Sequence, residues 1–132
     1  MTIAELVTRA LQLAGVVGMN RAPSAAEMDD GIDSLNEMLF SWALDGLDLG
    51  WQTATQGETV LVDDAYLRGI RYSLAVDLAG AHGILNELPK SVLATADEEQ
   101  AKIRAALFEV DNLRSDDALL RHRYGFNHTT GQ

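Results

Sequence analysis

Apolar residues recur at helical spacing near the start of the chain. A Thr2/Glu5 capping box precedes them, in which each side chain satisfies an amide of the first helical turn. Gly15 is suited to end the helix, because glycine adopts the left-handed conformation without strain. The pattern predicts a first helix over residues 3–14. Its buried face is expected to hold Ile3, Leu6, Val7, Ala10, Leu11 and Ala14.

A second helix is predicted over residues 25–45. Ser24 and Glu27 form another capping box, and Gly46 follows the last apolar position. The apolar positions form a narrow seam close to a heptad spacing. That seam contains Met28, Ile32, Leu35, Leu39 and Trp42.

Two further helices are predicted over residues 65–82 and 90–113. Asp63 or Asp64 caps the third helix, and Pro89 occupies the tolerated first turn of the fourth. The third helix should bury Leu67, Ile70, Leu74, Leu78 and Ala81, and the fourth should bury Ile103, Leu107, Val110 and Leu113.

The pattern changes between the second and third helices. Residues 51–55 and 58–62 are rich in Thr, Val and other strand-favouring residues, with Gln56 and Gly57 between them. This composition predicts a short β-hairpin or an extended loop. The expected fold is therefore mainly α, a four-helix bundle with a short β-hairpin or extended loop between helices 2 and 3 and a C-terminal arm.

The end of the chain differs from the bundle. We expect residues 1–113 to form the helical domain and residues 114–132 to form the arm. Arginine and aromatic residues in the arm are types enriched at protein–protein contacts, although the segment could equally fold back on its own helices. The candidate contact residues are Leu119, Leu120, Arg121, Arg123, Tyr124 and Phe126.

Charge is distributed unevenly along the chain. The formal net charge is −10, and residues 1–66 hold eleven acids against two bases, giving −9. Such a surface repels nucleic acid, because phosphate binding needs clustered Lys and Arg. We expect the acids of the second helix to be exposed, namely Asp29, Asp30, Asp33 and Glu37.

Little in the sequence favours catalysis or a cofactor. There is no cysteine, and His82, His122 and His128 have no metal-ligand spacing. No nucleophile elbow or phosphate-binding glycine loop is present. Paired carboxylates are the one residue type that would permit an acid/base hydrolase, yet Glu5 and Glu27 already have a capping role. The chain is expected to be neither an enzyme nor a cofactor-binding protein. A secretory signal and a membrane span are also not expected.

Four segments are similar to a known family. Residues 10–16 read ALQLAGV, residues 23–27 read PSAAE, and residues 31–42 read GIDSLNEMLFSW. A later segment, residues 72–79, reads YSLAVDLA. Over about residues 3–110 the chain resembles the head–tail connector proteins of tailed bacteriophages, in particular the tail accessory factor type.

The resemblance implies a structural subunit of the virion, assembled in the host cytoplasm and placed at the head–tail interface. Such subunits form a ring, typically of twelve copies, beneath the portal protein. The ring extends the DNA channel and docks the tail or a further connector, and genomic DNA passes without sequence-specific binding. The arm would then bind the portal, the four acids of the second helix would face the channel or the outer surface, and Trp51, Val60 and Val62 would lie between subunits.

Two other hypotheses remain open from the residues alone. A small acidic regulatory protein or DNA mimic would bind a basic partner. A virion-associated hydrolase would need a pocket with two carboxylates at catalytic separation.

Overall fold

The computed structural model describes residues 1–108 and contains four α-helices in that range. They are α1 (Ile3–Ala14), α2 (Ala25–Leu44), α3 (Asp64–Ala81) and α4, which covers residues 90–108 of the described part. A single 3-10 turn, Leu85–Glu87, precedes α4. The first three helices start and end within one residue of the predicted positions, whereas Val110 and Leu113 of the predicted fourth stripe lie outside the described residues.

Both predicted capping boxes are formed. The Thr2 and Ser24 side chains accept from the amides of Glu5 and Glu27 at 3.1 and 3.2 Å. In return, the Ser24 backbone N–H donates to the Glu27 carboxylate at 2.9 Å. That hydrogen bond, helped by Arg21 at 3.1 Å, lowers the pKa of Glu27. Gly15 ends α1 with φ of 81°, as expected of a glycine stop.

The core lies where α1, α2 and α3 pack against one another. Every predicted stripe residue of α1 and of α2 is buried, including Trp42. In α3 the prediction is wrong at Ala81, which is exposed because the helix ends there and its last residue projects past the core. Leu67 is only partly buried.

The segment between α2 and α3 does not form a β-hairpin. Residues 47–63 form an extended loop, the other predicted alternative, and residues 1–108 contain only an isolated antiparallel bridge between Thr2 and Thr59. The Ile3 amide donates to the Glu58 carbonyl at 2.9 Å, and the Val60 amide donates to the Met1 carbonyl at 3.0 Å. The second half of the loop, residues 58–62, thus pairs with the N-terminus, whereas no bridge joins it to the first half, residues 51–55.

Candidate interaction surfaces

Asn36, in the middle of α2, holds the first half of the loop, residues 51–55. Its Oδ1 accepts from the Trp51 indole N–H at 2.9 Å and from the Ala54 amide at 3.0 Å. Its Nδ2 donates to the Ala54 carbonyl at 3.4 Å. One partly buried side chain therefore satisfies three polar groups of a segment with no secondary structure. Nothing in the local sequence distinguishes this asparagine from a surface residue, so sequence reasoning missed it.

The predicted interface residues of the loop lie against the subunit's own core. Trp51, Val60 and Val62 are partly buried and pack against core residues. The two halves of the loop border a cleft of about 130 Å³, which Ile3 also lines. Leu61 also lines this cleft, but it is 85 % exposed. It is the loop residue with the most apolar surface available to a partner.

The outer face of α2 combines acids with large apolar residues. Asp29, Asp30, Asp33 and Glu37 are all exposed. Farther along the same face, Phe40 is 42 % exposed and Leu44 is 90 % exposed. Spacings of four, three and four residues place Asp33, Glu37, Phe40 and Leu44 in one row. We call this row the α2 ridge. Its acidic half was predicted from the sequence, while its apolar half was not.

A groove of about 210 Å³ runs between α1 and α3. Arg9 and Gln12 of α1 line one side, and Arg71 and Tyr72 of α3 line the other. Met19, from the loop after α1, closes one end and is 72 % exposed. The Arg71 guanidinium lies 5.5 Å from the centre of the Tyr72 ring, within cation–π distance. We call this the α1–α3 groove, and its lining contains two arginines and no acid.

Helices α3 and α4 approach closely at Gly69. A Cβ at this position would lie 2.5 Å from Cδ1 of Ile103 and 3.4 Å from Cβ of Glu99. Glu99 is buried apart from its carboxylate edge, which contacts Lys102 at 3.1 Å and Arg68 at 3.6 Å. The absence of a side chain at Gly69 thus allows a charged residue and a core isoleucine to share one junction.

A second groove, of about 230 Å³, separates α4 from the ends of α2 and α3. Asp77 and Asp97 both border it, beside Ser73, whose buried hydroxyl makes no hydrogen bond within the described part of the chain. The Asp77 carboxyl stays accessible to water on one side, but the groove walls desolvate it on the other and raise its pKa. Histidine, lysine and arginine are all absent from the lining.

Neither a metal cluster nor a membrane-spanning helix occurs in the described range. Residues 1–108 hold no group of three or more His, Asp or Glu side chains that could bind a metal ion. None of their helices combines the length and hydrophobicity that a membrane crossing needs. His82 is the C-cap residue of α3. The six candidate arm residues, Leu119, Leu120, Arg121, Arg123, Tyr124 and Phe126, lie outside the described residues.

The described part of the chain is therefore a small helical bundle whose most prominent features are charged and apolar surfaces. Over residues 1–119 the sequence matches the family described as P22 tail accessory factor. The match covers most of the chain, so this protein belongs to that family and is a phage protein associated with the tail. No curated protein matches the sequence individually.

Proposed function

We propose that the chain is a structural head–tail adaptor subunit of a tailed phage, without catalytic activity. Copies of it, by analogy twelve, form a ring beneath the portal protein, extend the DNA channel and dock the tail or a further connector. The observation that carries this proposal is the family match over residues 1–119. The head–tail interface of the virion is the proposed location.

The charge of the chain supports a role beside DNA rather than bound to it. Twelve copies at −10 each would carry about −120, and a wall of that charge repels phosphate. Genomic DNA would then pass through the ring without adhering to it. The acids of residues 1–66, which give that half a charge of −9, supply most of this repulsion.

A mass measurement with the portal present tests the ring. Size-exclusion chromatography with light scattering should show the chain eluting with its phage's portal protein at a mass that corresponds to many added copies. The isolated chain is not a decisive sample, because a ring held by many weak contacts can require its template. A mixture in which the chain stays separate from the portal contradicts the proposal. Tight binding to a nucleic-acid enzyme instead would favour the DNA-mimic alternative.

The C-terminal arm, residues 114–132, provides a second test within the same proposal. Deletion after Asn112 removes the six proposed portal-binding residues together with the rest of the arm. We expect a folded, helical protein by circular dichroism that no longer co-elutes with the portal. A truncated chain that still docks would show that the portal contact lies elsewhere. Full-length protein with Leu61→Ser serves as a control for loss of exposed apolar surface outside the arm.

A further inference from the structure

The α2 ridge is a helix face that no other described part of the subunit covers. Leu44 has almost its full surface in water, and Phe40 is exposed on the preceding turn of the ridge. Asp33 and Glu37 precede them, and α2 contains no lysine or arginine along its whole length. The ridge is thus acidic at one end and apolar at the other.

The α1–α3 groove lies on the opposite side of the subunit. A Cβ at Gly31 of α2 would collide with Val7, so Val7 faces α2. Arg9 follows Val7 by two positions, a rotation of roughly 200° around an α-helix. The groove that Arg9 lines therefore opens away from α2.

Ridge and groove are complementary in charge and in polarity. Arg9 and Arg71 form no ion pair within residues 1–108 and sit beside exposed Met19. The nearest acid along α1 is Glu5, whose carboxylate contacts the Thr2 amide at the helix cap. Two acids and two apolar side chains on the ridge thus match two bases and an apolar end in the groove.

We propose that the α2 ridge of one copy docks in the α1–α3 groove of a second copy. Two different surfaces on opposite sides make a head-to-tail contact, and such a contact closes into a ring when the rotation between copies allows it. This inference rests on the proposed ring function and supplies its subunit interface. It assigns Asp33 and Glu37 to contacts between copies and leaves Asp29 and Asp30 for the channel or outer surface.

Cross-linking between mixed copies tests the contact, because the natural chain has no cysteine. One preparation carries Leu44→Cys, the other Met19→Cys, and both sites are exposed, so the fold should tolerate them. The two are mixed with portal protein and treated with a short bismaleimide. We expect a cross-linked dimer band from the mixture and none from either preparation alone. Mixing Leu85→Cys with Met19→Cys is the matched control, since Leu85 is also an exposed leucine but lies off the ridge.

The outcomes separate this inference from the function on which it rests. Portal-bound rings whose Leu44→Cys and Met19→Cys copies cross-link no better than the control would overturn the interface and leave the adaptor role intact. Failure of the wild-type chain to assemble on the portal would overturn both.

Charge reversal gives an independent test of the same contact. Glu37→Arg alone and Arg9→Glu alone should each abolish ring assembly on the portal, because each brings like charges together. The double variant should restore assembly, which a merely structural role of either residue would not produce. Glu87→Arg, an exposed site away from ridge and groove, should assemble normally. Double variants that stay unassembled while remaining folded would overturn the pairing.

Discussion

At the scale of single residues, Asn36 holds the loop after α2 through three hydrogen bonds. Replacing it with alanine would leave the Trp51 indole N–H and the Ala54 amide without their acceptor. We expect Asn36→Ala to lower the free energy of unfolding by about 1–3 kcal/mol, measured by urea denaturation. Trp51 fluorescence should shift toward that of a solvated indole.

Asn36→Asp is the informative companion variant. It keeps an oxygen that can accept both hydrogen bonds, but its second oxygen faces the Ala54 carbonyl in place of a donor, so stability should be recovered only in part. Gln52→Ala, at an exposed position of the same loop, should leave stability and fluorescence close to wild type. Equal stability of Asn36→Ala and wild type would contradict the role assigned to Asn36.

Asp77 makes a prediction about pH. Desolvation raises its pKa in the folded protein above the unfolded value. Between those two pKa values the folded state binds more protons than the unfolded state, so stability falls as pH rises through that window. The loss of stability caused by ionising Asp77 then persists at neutral pH. Asp77→Asn should therefore be more stable than wild type at pH 7, with the difference vanishing below about pH 4.

The measurement is thermal unfolding of both proteins from pH 3 to pH 7. Asp33→Asn, which removes an exposed carboxylate from the α2 ridge, serves as the control for the loss of one negative charge. A stability gain from Asp77→Asn that does not depend on pH would point to a packing effect rather than to the carboxyl's charge.

At the scale of elements, the two glycines of α3 should respond oppositely to alanine. At Gly69 the new methyl group meets Ile103 and Glu99 in a packed junction, so Gly69→Ala should destabilise by about 1–3 kcal/mol. Nothing lies within 4 Å of a Cβ at Gly80. Gly80→Ala should stabilise by about 0.5–1 kcal/mol, because alanine restricts the unfolded chain and favours helix. Urea denaturation measures both.

A second substitution identifies the cause at Gly69. Ile103→Val removes the Cδ1 atom that the new methyl group would meet. It should therefore lower the free energy of unfolding less in the Gly69→Ala background than in the wild-type protein. Additive effects of the two substitutions would contradict the proposed steric origin.

The helices were predictable because their determinants are local. Thr2 and Ser24 with their partner glutamates fix two helix starts, and the apolar spacing fixes which face is buried. The loop after α2 was ambiguous for a physical reason. Its composition favours a strand, but its hydrogen-bonding partners are Asn36 and the N-terminus. Both are distant in sequence, and a local pattern cannot report such partners.

The surfaces were predictable only in part. The acids of α2 were expected to be exposed, since carboxylates are rarely buried unless they are paired. Leu44 gave no such signal, because a leucine near a helix end is normally read as core. The α1–α3 groove required the fold itself, since Arg9 and Arg71 belong to helices separated by the whole of α2.

At the scale of the whole molecule, the bundle buries its apolar stripes and leaves two complementary faces on opposite sides. In the proposed ring, these two faces would let each copy contact the next around an axis. In that proposed ring, the chain's net charge of −10 would give a channel wall to which DNA does not adhere. The family match places the protein among phage tail accessory factors, and the ring and its portal contact are what we propose in addition.

Electron microscopy of the full-length chain mixed with the portal protein of its phage tests the adaptor role most directly. We expect averaged images to show an added ring of density, coaxial with the portal channel and repeating with the portal's symmetry. Portal particles without added density, at concentrations where the chain is in large excess, would contradict the adaptor role.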